Sequence, residues 1–266
     1  MKIVAKKKFG QNFLKDESVL HQIIEAMPKN DNVIAEIGPG LGDLTKYLVQ
    51  LKGVTAFEVD TDLCKILQEK FGTLIATNQL RLRCGDVLEV WQSNLLDEDY
   101  DLVANLPYYI ATNIILKALA DPKCQNILVM IQLEVAQKFC ATAGGREFGS
   151  LSVLAQSVAD VSLVATVPPE AFDPAPKVES AVILFEKNQS RNDADFERFL
   201  QNCFLAPRKT LLKNLSTSYD KKRVLDLFSE LDLAQTIRPH EVCTQSYHQL
   251  YENIRSLDEP RGTKKQ

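Results

Sequence analysis

Between Asn32 and about Lys187, short β-branched runs alternate with stretches of helical period, and no other feature of the chain restricts its fold as much. Asn32–Ile37, Val54–Val59, Leu80–Cys84, Asp101–Ala104 and Ile127–Gln132 read as strands. Leu41, Leu44, Leu48 and Leu51 recur at helical spacing between them, and Leu63, Ile66 and Leu67 form a second stripe. Strands separated by helices pair in parallel, because a helix-long crossover returns the chain to the same end of the sheet. The pattern therefore predicts an α/β fold with a sheet covered on both faces. Ser157–Val167 and Ser180–Phe185 depart from it: their connection has no helical period and holds Pro168, Pro169, Pro174 and Pro176. They are predicted to form an antiparallel pair that closes one edge of the sheet.

After Lys187 the composition changes. Residues 188–192 read as a linker, Phe196–Phe204, Arg208–Leu215, Lys222–Leu231 and Ser246–Ile254 as helices, and 258–266 as a disordered tail. The expected organisation is one domain over 1–187, opened by an N-terminal segment and helix within 1–30, and a small all-helical domain over 193–257.

Within the sheet pattern, Ala35-Glu36-Ile37-Gly38-Pro39-Gly40-Leu41-Gly42 follows a predicted strand and opens a helix. Gly38 and Gly40 are where a ligand would approach backbone, but dinucleotide sites use such a turn too. Three details favour a methyl donor. Gly42 stands two positions after Gly40, not three as in G-x-G-x-x-G. Pro39 deletes an amide N–H that a pyrophosphate would use. Glu36 would repel a diphosphate but tolerates a ligand bearing a sulfonium and an ammonium. Glu58 ends the second strand, where a carboxylate accepts from both ribose hydroxyls; the plainer alternative is a surface acid at a strand end. Asp86, just past the third strand, is either an acceptor for an adenine amine or an ordinary turn aspartate.

The fourth strand runs into Asn105-Leu106-Pro107-Tyr108. An exocyclic adenine amine is a poor nucleophile because its lone pair is delocalised into the ring. Acceptors on both of its N–H groups favour a tetrahedral nitrogen with a localised pair. The Asn105 side-chain carbonyl and the Leu106 backbone carbonyl could be those acceptors, the second directed by the restricted geometry before Pro107. Tyr108 offers a ring on which a flipped-out base stacks. The competing interpretation is a loop whose Pro and Tyr merely pack, with Thr112 capping the next helix.

The net charge of −4 is unusual for a nucleic-acid binder, but the average hides basic segments. Arg208, Lys209, Lys213, Lys221, Lys222 and Arg223 face a single acid, Asp220, between Phe204 and Arg223, and the first 15 residues hold five lysines and no acid. Arg208, Lys209 and Lys213 are the candidate RNA contacts, against a merely solvated face. The six cysteines form no C-x-x-C pair and the three histidines do not cluster with them, so reduced thiols and no metal are expected. No run of about 18 apolar residues predicts a membrane span. The basic start runs into Phe9-Gly10-Gln11-Asn12 instead of an apolar segment, so no secretion signal is expected.

Taken in order, several motifs resemble the ribosomal RNA adenine N6,N6-dimethyltransferases. They are Lys8-Phe9-Gly10-Gln11-Asn12-Phe13-Leu14, Glu36-Ile37-Gly38-Pro39-Gly40, Asn105-Leu106-Pro107-Tyr108, Gly149-Ser150-Leu151-Ser152, Val167-Pro168-Pro169-Glu170-Ala171-Phe172, Pro174-Ala175-Pro176-Lys177-Val178 and Arg208-Lys209-Thr210-Leu211. The resemblance implies a Rossmann-like, seven-stranded class I methyltransferase sheet with a small helical C-terminal domain. It implies S-adenosylmethionine as methyl donor, held by Asn12, Leu14, Gly38, Glu58, Asp86 and Asn105. It further implies two adjacent adenosines near the 3′ end of 16S ribosomal RNA as substrate, within an assembling small subunit, and so a cytoplasmic protein; a monomer is expected. The chain departs from the family at Phe148, where a tyrosine is usual, and at Leu205-Ala206-Pro207, where a more polar stretch is usual. A pure RNA-binding factor and a methyltransferase for another RNA or DNA remain alternatives, while a nicotinamide oxidoreductase is disfavoured because no Tyr-x-x-x-Lys pair is present.

Overall fold

The computed structural model describes residue 6, residues 10–188 and residues 194–258. Apart from Asn188 and Asp258, the expected linker and tail lie outside these residues.

The chain begins with β1 (Phe13–Leu14) and α1 (Glu17–Glu25); Asp16 caps α1 by accepting from the N–H groups of Ser18 and Val19. Then come β2 (Val33–Ile37), α2 (Thr45–Leu51), β3 (Val54–Glu58), α3 (Thr61–Lys70), α4 (Gly72–Ala76), β4 (Leu80–Cys84), α5 (Val87–Val90), β5 (Tyr100–Asn105), α6 (Tyr108–Ala120) and β6 (Cys124–Gln132). α7 (Leu133–Cys140) and α8 (Ser150–Gln156) lead to β7 (Ala159–Val167), β8 (Phe172–Asp173) and β9 (Ser180–Lys187). α9 (Ala194–Cys203), α10 (Leu211–Leu215), α11 (Lys221–Glu230) and α12 (Thr244–Asp258) follow.

Seven strands form one sheet in the order β4-β3-β2-β5-β6-β9-β7, a class I methyltransferase arrangement. β2 to β6 pair in parallel, and β9 runs antiparallel to both β6 and β7. The predicted antiparallel pair thus closes the edge, with β9 inserted beside β6 and β7 outermost. β3 is buried at all five positions, as a strand covered on both faces must be. Ile34, Val54, Ala56, Val103 and Leu128 of the sheet share one core with Leu48 and Leu67 of the helices. Because β2 has β3 on one side and β5 on the other, the strand order reverses between β2 and β5. A crevice opens at the carboxyl ends of strands at such a reversal.

The chain divides into two compact units, 1–136 with 159–190 and 137–158 with 191–266. Residues 137–158, which the sequence reading leaves in the first domain, group with the second. Phe148 and Val153 are buried there among Phe199, Leu200, Phe228 and Tyr247, a relationship that no single cut along the chain expresses. The Phe148 ring is 4% exposed in that core.

The cysteine expectation is corrected. Cys64 and Cys84 form a disulfide, with Cα atoms 6.2 Å apart. β4 pairs with β3 so that Cys84 stands opposite Glu58, and α3 folds back to bring Cys64 Sγ 3.5 Å from the Glu58 carbonyl. Spacing along the chain does not reveal such a pair, and the thiol pattern no longer argues for a reducing compartment. Cys124, Cys140, Cys203 and Cys243 are free. Among the described residues, no helix is long and apolar enough to cross a membrane, and no group of three or more His, Cys, Asp or Glu could hold a metal ion.

Candidate active site

The crevice at the strand reversal is a cleft of about 1140 Å³, measured out to its open mouth. Asn12, Leu14, Gly38, Gly40, Glu58, Asp86, Asn105, Leu106, Pro107 and Tyr108, singled out from sequence, all line it. They arrive from five separate stretches of chain, four of them at carboxyl ends of parallel strands. Gly38 N–H donates to Phe57 O (2.9 Å), tying the glycine turn to β3. Gly40 has φ +60°, and a Cβ there would sit 3.1 Å from the Phe13 ring. Glycine is thus required both by the backbone and by the close approach of the N-terminal segment. That segment is held by β1 pairing antiparallel with β8, Leu14 opposite Phe172, and by a Lys15–Asp43 ion pair.

Two buried carboxyls dominate the electrostatics. Glu36 accepts from the Thr45 hydroxyl (2.7 Å). Burial pushes its pKa up to about 8; the Thr45 hydrogen bond opposes this and the Glu58 charge adds to it. Glu58 accepts from the N–H groups of Gly40 (3.1 Å) and Asp60 (2.9 Å), one on each oxygen. Burial raises its pKa too, against those backbone hydrogen bonds. Each Glu58 oxygen keeps a further lone pair for a ligand hydroxyl. Asp86 combines both readings offered for it: it lines the cleft, and it caps α5 by accepting from Leu88 N–H (2.9 Å).

The Asn105 amide donates to the backbone carbonyl of Asn12 (3.3 Å). A carbonyl only accepts, so the amide nitrogen must face Asn12 and Oδ1 must point elsewhere. Leu106 N–H donates to Met130 O (3.1 Å), which fixes that peptide against β6. α6 begins at Tyr108, directly after Pro107, so Thr112 lies inside the helix instead of capping it. The Tyr108 hydroxyl shares a hydrogen bond with that of Ser180 (2.6 Å), which anchors the ring to the start of β9.

Sequence reasoning missed Phe13, Gly10 and Tyr109 in the cleft wall. Tyr109 is 61% exposed and packs beside Gly10. Phe13 lay between two residues already chosen, and Tyr109 next to a third, so adjacency was the available signal. Arg208, Lys209 and Lys213 belong to the other compact unit and are exposed.

Over residues 3–256 the chain matches the family described as ribosomal RNA adenine dimethylase. A ribosomal RNA small subunit methyltransferase A from Sulfurimonas denitrificans is 68% identical over 260 residues, covering 98% of this chain and 97% of that protein. One from Aliarcobacter butzleri is 49% identical, covering 96% and 98%. Among solved structures, a dimethyladenosine transferase from Plasmodium falciparum matches with TM-score 0.79 at 23% identity, covering 92% of this chain and 98% of that one. The 23S rRNA methyltransferase ErmE matches with TM-score 0.71 at 23% identity, covering 92% and 100%. At such identities the structural likeness supports the fold alone.

Proposed function

The chain belongs to the ribosomal RNA adenine dimethylase family, and on that premise we propose that it transfers methyl groups from S-adenosylmethionine to the N6 amines of two adjacent adenosines near the 3′ end of 16S ribosomal RNA, giving N6,N6-dimethyladenosine. The substrate is an assembling small ribosomal subunit, met in the cytoplasm by a single copy of the chain; the relatives named for the small subunit support that choice of RNA.

The cleft suits this donor. No Lys or Arg lines its wall among the described residues, and the buried Glu36 and Glu58, whose pKa values burial raises, regain their charge beside a cation, which favours a positively charged ligand over a diphosphate. Gly38 and Gly40 offer backbone, Glu58 the ribose acceptor, Asp86 an acceptor for the adenine amine, and Asn12, Leu14 and Asn105 the remaining contacts. When bound, S-adenosylmethionine supplies an electrophilic methyl group on a sulfonium centre.

The observation that carries the catalytic reading is the Asn105–Asn12 hydrogen bond, because it leaves Asn105 Oδ1 free to accept from the target amine. With the Leu106 carbonyl on the second N–H, the lone pair localises on nitrogen and is aimed by two fixed groups. Pro107 restricts Leu106, and the Tyr108 ring, steadied by Ser180, stacks on the extruded base. The alkylated amine then loses its proton to water. Arg208, Lys209 and Lys213 meet backbone phosphates.

The test is to incubate the protein with labelled S-adenosylmethionine and under-methylated small ribosomal subunits and to map modified nucleosides by mass spectrometry. Dimethyladenosine at two neighbouring positions near the 3′ end is expected. Donor binding without incorporation would sink the assignment.

A further inference from the structure

Asp60 does not line the cleft, yet it joins three parts that do. Its carboxylate is almost fully buried and accepts from Lys6 Nζ (2.7 Å) and Gln11 Nε2 (3.0 Å). Its Oδ1 also accepts from Asp62 N–H (3.0 Å), capping α3. Its own N–H donates to Glu58 Oε1, whose other oxygen accepts from Gly40 N–H. The Gln11 amide is fixed from both ends, since its Oε1 accepts from Lys6 N–H (2.8 Å). Lys6 Nζ reaches Asp62 as well (2.6 Å). A continuous chain of hydrogen bonds therefore runs from the N-terminal segment through Asp60 to the ribose acid and the glycine turn.

A carboxylate this buried is costly unless it is paired. Burial alone would raise its pKa, but the hydrogen bonds from Lys6, Gln11 and Asp62 outweigh it and hold the carboxyl below its usual range. The cost is met by groups of the N-terminal segment, and α3 could have been capped without burying the acid against them. Lys6 and Gln11 are not needed for the core either: neither is buried, and neither belongs to the hydrophobic cluster of this unit.

We infer that Asp60, with Lys6 and Gln11, forms a positioning clamp for methyl-donor binding, holding residues Gly10–Leu14 and the Glu58 carboxylate in the relation that the donor requires. This rests on the donor proposed above. A clamp centred on Asp60, behind the cleft wall, slows donor escape and preorganises Glu58 without touching the reacting atoms, so it acts on affinity and not on the chemical step.

The test uses the full-length protein, calorimetric binding of S-adenosylmethionine, its dissociation rate, and the methylation assay. Lys6→Met and Asp60→Asn are each expected to raise the Kd and KM for the donor about tenfold, mostly through faster release, with kcat at saturating donor changed less than about twofold. The double variant should be no worse than the weaker binder of the two, because both remove one unit. Lys6→Arg should restore wild-type affinity. Asp60→Asn keeps an acceptor for Asp62 N–H, so the cap of α3 survives. If circular dichroism nevertheless shows it unfolded, Lys6→Met decides alone. Unchanged donor affinity in Lys6→Met, or strictly additive losses in the double variant, overturns the clamp while wild-type methylation keeps the proposed function. Wild-type protein that binds no donor overturns both.

Discussion

Asn105 owes the direction of its carbonyl to the backbone of Asn12, a residue 93 positions earlier in the chain. Asn105→Ala removes the acceptor and should lower kcat by about 10²–10³, the scale of losing one preorganised polar group at a reacting centre. RNA binding measured on the same variant should stay near wild type; turnover close to normal would refute the assigned role. Glu36 makes a second prediction at this scale. Its carboxyl titrates near 8 when folded against an ordinary value of 4.5. A raised pKa means that the folded state keeps a proton the unfolded chain has already lost. The stability it contributes is full below the unfolded value and disappears as pH climbs through the folded one. Glu36→Gln, a neutral isostere, should remove a slope approaching 1.4 kcal/mol per pH unit from that window. Urea denaturation across the window checks this, and parallel curves for variant and wild type would contradict it. Glu58 titrates in the same direction, so some slope remains in the variant.

The glycine turn shows how elements constrain residues in pairs. Gly42 has φ +76°, and a Cβ there would lie 2.5 Å from Phe71 Cε2 and 3.1 Å from Leu67 Cδ2. The spacing that set this turn apart from a dinucleotide loop thus serves the packing of α3 behind it. Gly42→Ala should cost about 1–3 kcal/mol of unfolding free energy, from backbone strain and overpacking together. A denaturation midpoint unchanged from wild type would show that the Phe71 ring gives way freely. Much at this scale was legible beforehand. β2, β3, β5 and β6 stand close to where apolar runs placed them, because a strand buried on both faces has little choice of composition; β4, an edge strand buried only at Leu80, stands where the sequence placed it without that constraint. The start of α6 was not legible, since Thr112 offers a plausible cap while the chain turns helical directly after Pro107. Nor was the Cys64–Cys84 pairing, which depends on β3 lying beside β4.

At the scale of the whole molecule, a net charge of −4 coexists with an exposed cationic group at Arg208, Lys209 and Lys213. Thr210 caps α10 by accepting from Lys213 N–H, so the fold of this segment relies on a hydroxyl and not on the three cations. Reversing all three charges should therefore leave the helix intact and weaken RNA association. It should also flatten the dependence of binding on salt by about 0.7–0.9 of a logarithmic unit per lost phosphate contact. Filter binding over a range of salt reads this directly, and an unaltered slope would identify a merely solvated face.

The sheet, the glycine turn and the Asn105-Leu106-Pro107-Tyr108 loop are legible in the chain, because each is written in contiguous residues whose periodicity or backbone chemistry leaves few alternatives. The sequence also named ten residues of the cleft wall, since open α/β sheets gather ligands at strand ends. What those residues do to one another emerges on folding: Asn12 orients the Asn105 amide, Asp60 ties Lys6 and Gln11 to Glu58, and Phe148 packs into the second unit. Such relations join positions far apart in the chain, and their energies come from burial and hydrogen-bond direction, neither of which is encoded at any one position.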